Sequence, residues 1–149
     1  MKLFFKMMGV FAGLLVSVIL LAFLMLSYRP KPSVTQLKKA CGVRLPSFTI
    51  IDRTEATGNH TNYYYTVHFI KDLDKSVLDQ IEYQCKYGKK LDGGIEFYMP
   101  WTNKDGRYEF YVDATFDIGD YRLPLNCRSI GLSIGKESSL MTIHYTMED

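Results

Sequence analysis

Between Met7 and Leu26 the chain runs for twenty residues without a charged side chain, relieved only by the small residues Gly9, Gly13 and Ser17. A helix of that length rises about 30 Å, the thickness of a bilayer's hydrocarbon layer. A cleaved secretory signal has a shorter apolar region, about 7 to 15 residues, followed by a small-x-small site. Here the run ends in Met25-Leu26-Ser27-Tyr28, with a bulky Met where a small residue is needed, and no Cys follows to accept a lipid. The expectation is an uncleaved signal-anchor over residues 1–27, a single-pass membrane helix with lipid against residues 7–26. Gly9, Gly13 and Ser17 recur every fourth residue and share one helix face, a spacing that lets two membrane helices approach and form a homodimer. Gly and Ser are also frequent in membrane spans for no such reason.

The charge distribution marks a boundary just after that run. Lys2 and Lys6 are the only charges before Arg29, so the remainder carries sixteen basic and sixteen acidic residues and is neutral. Yet Arg29, Lys31, Lys38, Lys39 and Arg44 all precede the first acid, Asp52. An anionic membrane surface attracts such a basic collar by about 1 kcal/mol per Lys or Arg near the lipid. A nucleic-acid partner is not expected, because the folded part has no basic surplus to neutralise phosphates. Orientation is pulled two ways: the collar favours a cytoplasmic domain by the positive-inside rule, whereas the short basic start MKLFFK is how export signals begin. The expected arrangement has the N-terminus in the cytoplasm and the domain outside it, periplasmic or extracellular.

Residues 28–33, YRPKPS, place two prolines one residue apart and read as a stiff linker. The remaining 34–149 read as one α+β domain, an antiparallel sheet of five to seven strands covered by two helices. Ser33 and Gln36 have capping-box spacing at the start of SVTQLKKACG, with Val34, Leu37 and Cys41 on one face and Gly42 as the stop. LPSFTIIDRTEA and NYYYTVHFI form a hairpin around TGNHTN. DKSVLDQIEYQCKYG reads as the second helix, capped by Asp74, with Leu78, Ile81 and Cys85 on one face and Gly88 as its end. Thereafter the period is two. GIEFYMPW and GRYEFYVDATF flank TNKDG, where Asp105-Gly106 favours a tight reversal, and RSIGLSI and LMTIHYTM flank GKESS.

No catalytic constellation stands out. His60 lies in a turn and His68 and His144 on strands, with no HExxH, CxxC or Cys-His pair at metal spacing and no phosphate loop, so no metal or cofactor is expected. Cys41, Cys85 and Cys127 read either as three buried thiols or as a Cys41–Cys85 bridge between the helices with Cys127 left over. One surface pattern suggests binding. If Ile95, Phe97 and Met99 and then Tyr108, Phe110, Val112, Ala114 and Phe116 face the core, alternation exposes Glu96, Tyr98, Glu109, Tyr111 and Asp113. Tyr offers broad contact area and carboxylates steer a cationic partner; an ordinary solvated sheet face would look the same. The resulting expectation is a membrane-anchored extracytoplasmic protein-binding domain without catalysis, of the immunity-inhibitor or envelope-regulator kind. The alternatives are a structural subunit of a larger membrane complex, in secretion or envelope assembly, and an enzyme using scattered groups such as His68, His144 and Asp52.

Overall fold

The computed structural model describes residues 2–26, 29–88, 91–92, 97–98, 100–114, 123–137 and 139–148. Helix α1 (Lys2–Leu26) comes first, then α2 (Val34–Cys41) and the hairpin β1 (Phe48–Thr57) with β2 (Thr61–Phe69). Helix α3 (Lys75–Tyr87) follows, then the short strands β3 (Leu91–Asp92) and β4 (Phe97–Tyr98). The chain closes with β5 (Trp101–Lys104), β6 (Arg107–Asp113), β7 (Cys127–Gly135) and β8 (Leu140–Met147). The α+β expectation holds, with six strands in an antiparallel sheet of order β1-β2-β8-β7-β6-β5 and a separate pair β3-β4.

Local chemistry sets the helix ends where the sequence puts them. Ser33 accepts the Gln36 amide at 3.2 Å and starts α2, while Gly42, at φ 73°, donates to Lys38 O and stops it. A left-handed cap of this kind costs glycine nothing because it has no Cβ. Asp74 Oδ1 accepts the Val77 amide at 2.9 Å at the start of α3, and the Gly88 amide donates to Gln84 O at its end. The β5–β6 reversal uses Asp105 and Gly106 at φ 51° and 76°, the pair of left-handed residues a two-residue hairpin demands.

Both short helices pack on one face of the sheet. Leu37, Ala40 and Cys41 of α2 and Val77 and Ile81 of α3 are buried there with Tyr65, Phe69, Trp101, Phe110, Ile130, Ile143 and Tyr145. Polar tips of inward aromatics tie the layers together. Trp101 Nε1 donates to Cys41 O at 3.0 Å, Tyr145 Oη to Gln36 Oε1 at 3.2 Å, and Tyr108 Oη to Glu82 Oε1 at 2.7 Å. Each bond lets a large ring be buried without stranding its polar atom, whose desolvation would otherwise cost about 1–3 kcal/mol.

Several expectations are corrected. GIEFYMPW is not one strand paired with GRYEFYVDATF: Pro100 lacks an amide and interrupts it, and only β5 from Trp101 onward pairs with β6. Tyr98 lies on β4, opposite Leu91 in the two-stranded sheet. Glu96, like Ile95, Met99 and Phe116, lies outside the described residues. Ala114, expected to face the core, is exposed, because β6 ends at Asp113. The Cys41–Cys85 bridge is not formed and all three cysteines are free. Cys41 is fully buried with its thiol donating to Val43 O, whereas Cys85 is half-buried within the electrostatic reach of Glu82 and Lys136.

The proline segment is packed rather than free. Pro30 and Pro32 are buried, Tyr65 Oη donates to Pro30 O at 2.5 Å, and Arg29 reaches Glu55 at 4.0 Å. Arg53 pairs with the same carboxylate at 3.3 Å and lies over the Tyr63 and Tyr65 rings. As for α1, its side chains are described over 9–24, and every one is exposed. Among the described residues no helix is long and apolar enough to cross a membrane.

Candidate functional site

With both short helices on one face, the opposite face of the six-stranded sheet has no helix over it among the described residues. Alternation decides what it presents. Since Tyr108, Phe110 and Val112 of β6 point into the core, Glu109, Tyr111 and Asp113 point the other way. Glu109 and Tyr111 are exposed and Asp113 is half-buried. Three of the five residues expected to form an acidic, aromatic surface therefore share one strand face; Tyr98 lies on β4 in the separate pair, and Glu96 lies outside the described residues.

The register adds partners that the sequence reading did not assign. Tyr111 lies opposite Gly131 of β7, Gly131 opposite His144 of β8, and His144 opposite Tyr64 of β2. A row thus crosses four strands as Tyr111, Gly131, His144 and Tyr64. Gly131 adds no side chain to it; a methyl group there would sit in ordinary contact, 3.6 Å from Tyr111 Cδ2 and 3.7 Å from His144 Cβ. The Tyr64 and His144 rings stack in parallel with centroids 4.4 Å apart.

Polar rows border this central row. On one side Asp113 faces Ser129, which faces Thr146, which faces Asn62. His144 Nε2 and Thr146 Oγ1 both lie 3.0 Å from Asn62 Oδ1, so an amide oxygen accepts both and His144 carries its proton on Nε2. Burial holds the imidazole's pKa below its ordinary value, which favours the neutral ring. On the other side Glu109 faces Ser133, and Arg107 Nε donates to Ser133 Oγ at 2.8 Å. Tyr111 Oη reaches Asp113 Oδ2 at 3.4 Å. The arrangement offers an aromatic ridge with carboxylates beside one end, suited to contact and to steering a cation.

The three histidines are kept apart. His60 accepts from Arg128 Nη1 at 2.8 Å, His68 lies 3.0 Å from Ser139 Oγ, and His144 belongs to the stacked pair. His68 pairs with Thr49 and Leu140, and Asp52 with Thr66, so register does not set Asp52, His68 and His144 opposite one another. Among the described residues no group of three His, Cys, Asp or Glu could hold a metal ion. Thiol chemistry is disfavoured by burial, which pushes Cys41 up to about 11 and Cys127 to about 12. Gly9 and Gly13 stand on α1 in open space, and Ser17 Oγ donates to Gly13 O at 2.9 Å, which places them one turn apart on one face.

Comparison with known proteins adds no relative: no family model, no curated protein and no solved structure matches this chain.

Proposed function

We propose that this chain is a membrane-tethered protein-binding domain, with α1 as a single-pass anchor and the open sheet face as the docking surface. The observation that carries the docking assignment is one-sided cover: α2 and α3 both bury against the core face, leaving Glu109, Tyr111, Tyr64 and Thr142 exposed on the other. Tyr is a rigid, amphipathic contact residue and the carboxylates favour a cationic partner. The anchor assignment rests on the twenty-residue uncharged run and on side chains such as Val10, Phe11, Leu14 and Phe23, each at least 60% exposed along α1. Uncovered apolar area of that size calls for lipid or protein around it. The arrangement fits an extracytoplasmic domain acting by contact, as an immunity-type inhibitor or envelope regulator would.

The test is a tagged pull-down of the full chain from its native membranes beside a Glu109→Lys, Asp113→Lys variant. A protein retained by the parent and lost by the variant, with both melting alike, supports the surface. Equal retention by both overturns it. A reporter active only outside the cytoplasm, fused after Asp149, reads orientation, and silence there refutes an external domain.

A further inference from the structure

The segment joining α1 to the domain is held by the domain itself, and it carries a concentration of positive charge. Pro30 O accepts from Tyr65 Oη, Arg29 pairs with Glu55, and Pro30 and Pro32 are buried. The Tyr65 ring meets the Tyr145 ring edge-on at 5.9 Å, and Tyr145 Oη donates to Gln36 of α2. Two adjacent tyrosines therefore hold the incoming segment and α2 side by side. Consecutive Cα atoms are 3.8 Å apart, so Pro30 stands within about 15 Å of Leu26, the last residue of α1, whatever path joins them. The domain cannot swing far from the end of that helix.

Arg29, Lys31, Lys38, Lys39 and Arg44 are all exposed, and residues 29–51 contain no acid. Helix α2 buries Leu37, Ala40 and Cys41 and turns Lys38 and Lys39 outward. Glu55 is already engaged by Arg29 and Arg53. Resting on the reading of α1 as a membrane anchor, we propose that this collar is a binding surface for anionic phospholipid headgroups, and that it lays the domain against the bilayer with α2 at the lipid. The partner's chemistry follows from complementarity: a plane of phosphate charge beginning where α1 ends, within a few Debye lengths of lysines that cannot leave. A docked α2 would fix which way the open sheet face points, presenting it at a set height above the membrane.

The full chain is reconstituted in phosphatidylcholine vesicles carrying trace spin-labelled phosphatidylglycerol or spin-labelled phosphatidylcholine, and the immobilised fraction of each label is measured. The parent is expected to favour the glycerol lipid several-fold, with the preference falling in high salt. Removing two lysines, Lys38→Gln with Lys39→Gln, takes away up to about 30-fold in headgroup affinity, at about 1 kcal/mol per cation, and is expected to bring the several-fold preference down close to one. Lys75→Gln with Lys86→Gln, the same charge change on exposed positions of α3, is expected to leave it unchanged. Equal immobilisation of both labels, or equal loss in the two variants, overturns the headgroup surface. A carbonate wash of the same vesicles separates the two readings: chain that stays while showing no lipid preference refutes the collar alone, and chain that washes off refutes the anchor and the collar with it.

Discussion

Replacing Tyr65 by Phe tests whether the segment entering the domain is part of its folded structure. The change keeps the ring, which is 4% exposed and packed edge-on against Tyr145, and deletes one hydroxyl that donates to Pro30 O at 2.5 Å. A hydrogen bond of this kind contributes about 0.5–1.5 kcal/mol net, and a buried carbonyl left without its donor raises the cost to about 1–3 kcal/mol. Against a total stability of about 5–15 kcal/mol, a loss near 1.5 kcal/mol is readily measured. Trp101, the only tryptophan and fully buried against Phe110, reports unfolding by fluorescence. With a urea slope of about 1.5 kcal/mol per molar, the midpoint should fall by about 1 M with the slope unchanged. Tyr145→Phe serves as the comparison, because its acceptor Gln36 is a half-buried side chain that water can reach, and its shift should be the smaller. A Tyr65→Phe midpoint within about 0.2 M of the parent would refute the clamp.

Three further outcomes are expected. Asp74→Ala removes the cap of α3 and should cost about 1 kcal/mol in urea unfolding, with no change if the Val77 amide finds another acceptor. Burial holds Cys41 and Cys127 protonated to about 11 and about 12, against an ordinary 9.0, so above pH 9 the folded chain binds more protons than the unfolded one. Stability should therefore fall as pH rises from about 9 toward 12, and Cys127→Ala should flatten the decline of the melting temperature. His144 has the opposite sign: its pKa is lowered from 6.5, so the unfolded chain takes up protons first on acidification and stability is lost below about pH 6.5. His144→Gln should remove that part of the acid dependence, and a melting profile identical to the parent's would show that the imidazole is not strained by its burial.

Elements set by neighbours in sequence were legible, and those set by distant pairing were not. Ser33, Gln36 and Gly42 bracket α2, and Asp74 and Gly88 bracket α3, because caps satisfy backbone groups within one helical turn. Asp105-Gly106 likewise announces its hairpin through a requirement for positive φ at two adjacent residues. The candidate surface divides in the same way. Glu109, Tyr111 and Asp113 follow from alternation within β6, but the row from Tyr111 to Tyr64 depends on β8 lying between β2 and β7, which no local pattern encodes. Tyr64 was available from the alternation of NYYYTVHF; its stacking partner was not. The break at Pro100 was readable, since a proline has no amide for a ladder, yet the apolar period on both sides of it hid the interruption. The packing of Pro30 and Pro32 escaped because a Pro-x-Pro spacing describes stiffness and is silent on whether a tyrosine hydroxyl waits for the carbonyl.

The position of β8 has a consequence for how the domain comes into being. Asn62 and Thr146, whose side chains bond across the β2–β8 pair, are 84 residues apart, and the β1–β2 hairpin gains its second neighbour only through β8. During synthesis the hairpin and α2 emerge early, while the strand that joins them to β7 comes last in order. Until then Tyr63, Tyr65 and Val67 line a half-built wall, and the free edge of β2 is open to any other strand nearby. A chain held by its first helix at a membrane would pass that interval crowded against its neighbours. The eight-residue strand β8 is therefore a keystone: its arrival, and not that of α1, turns the two halves into one domain.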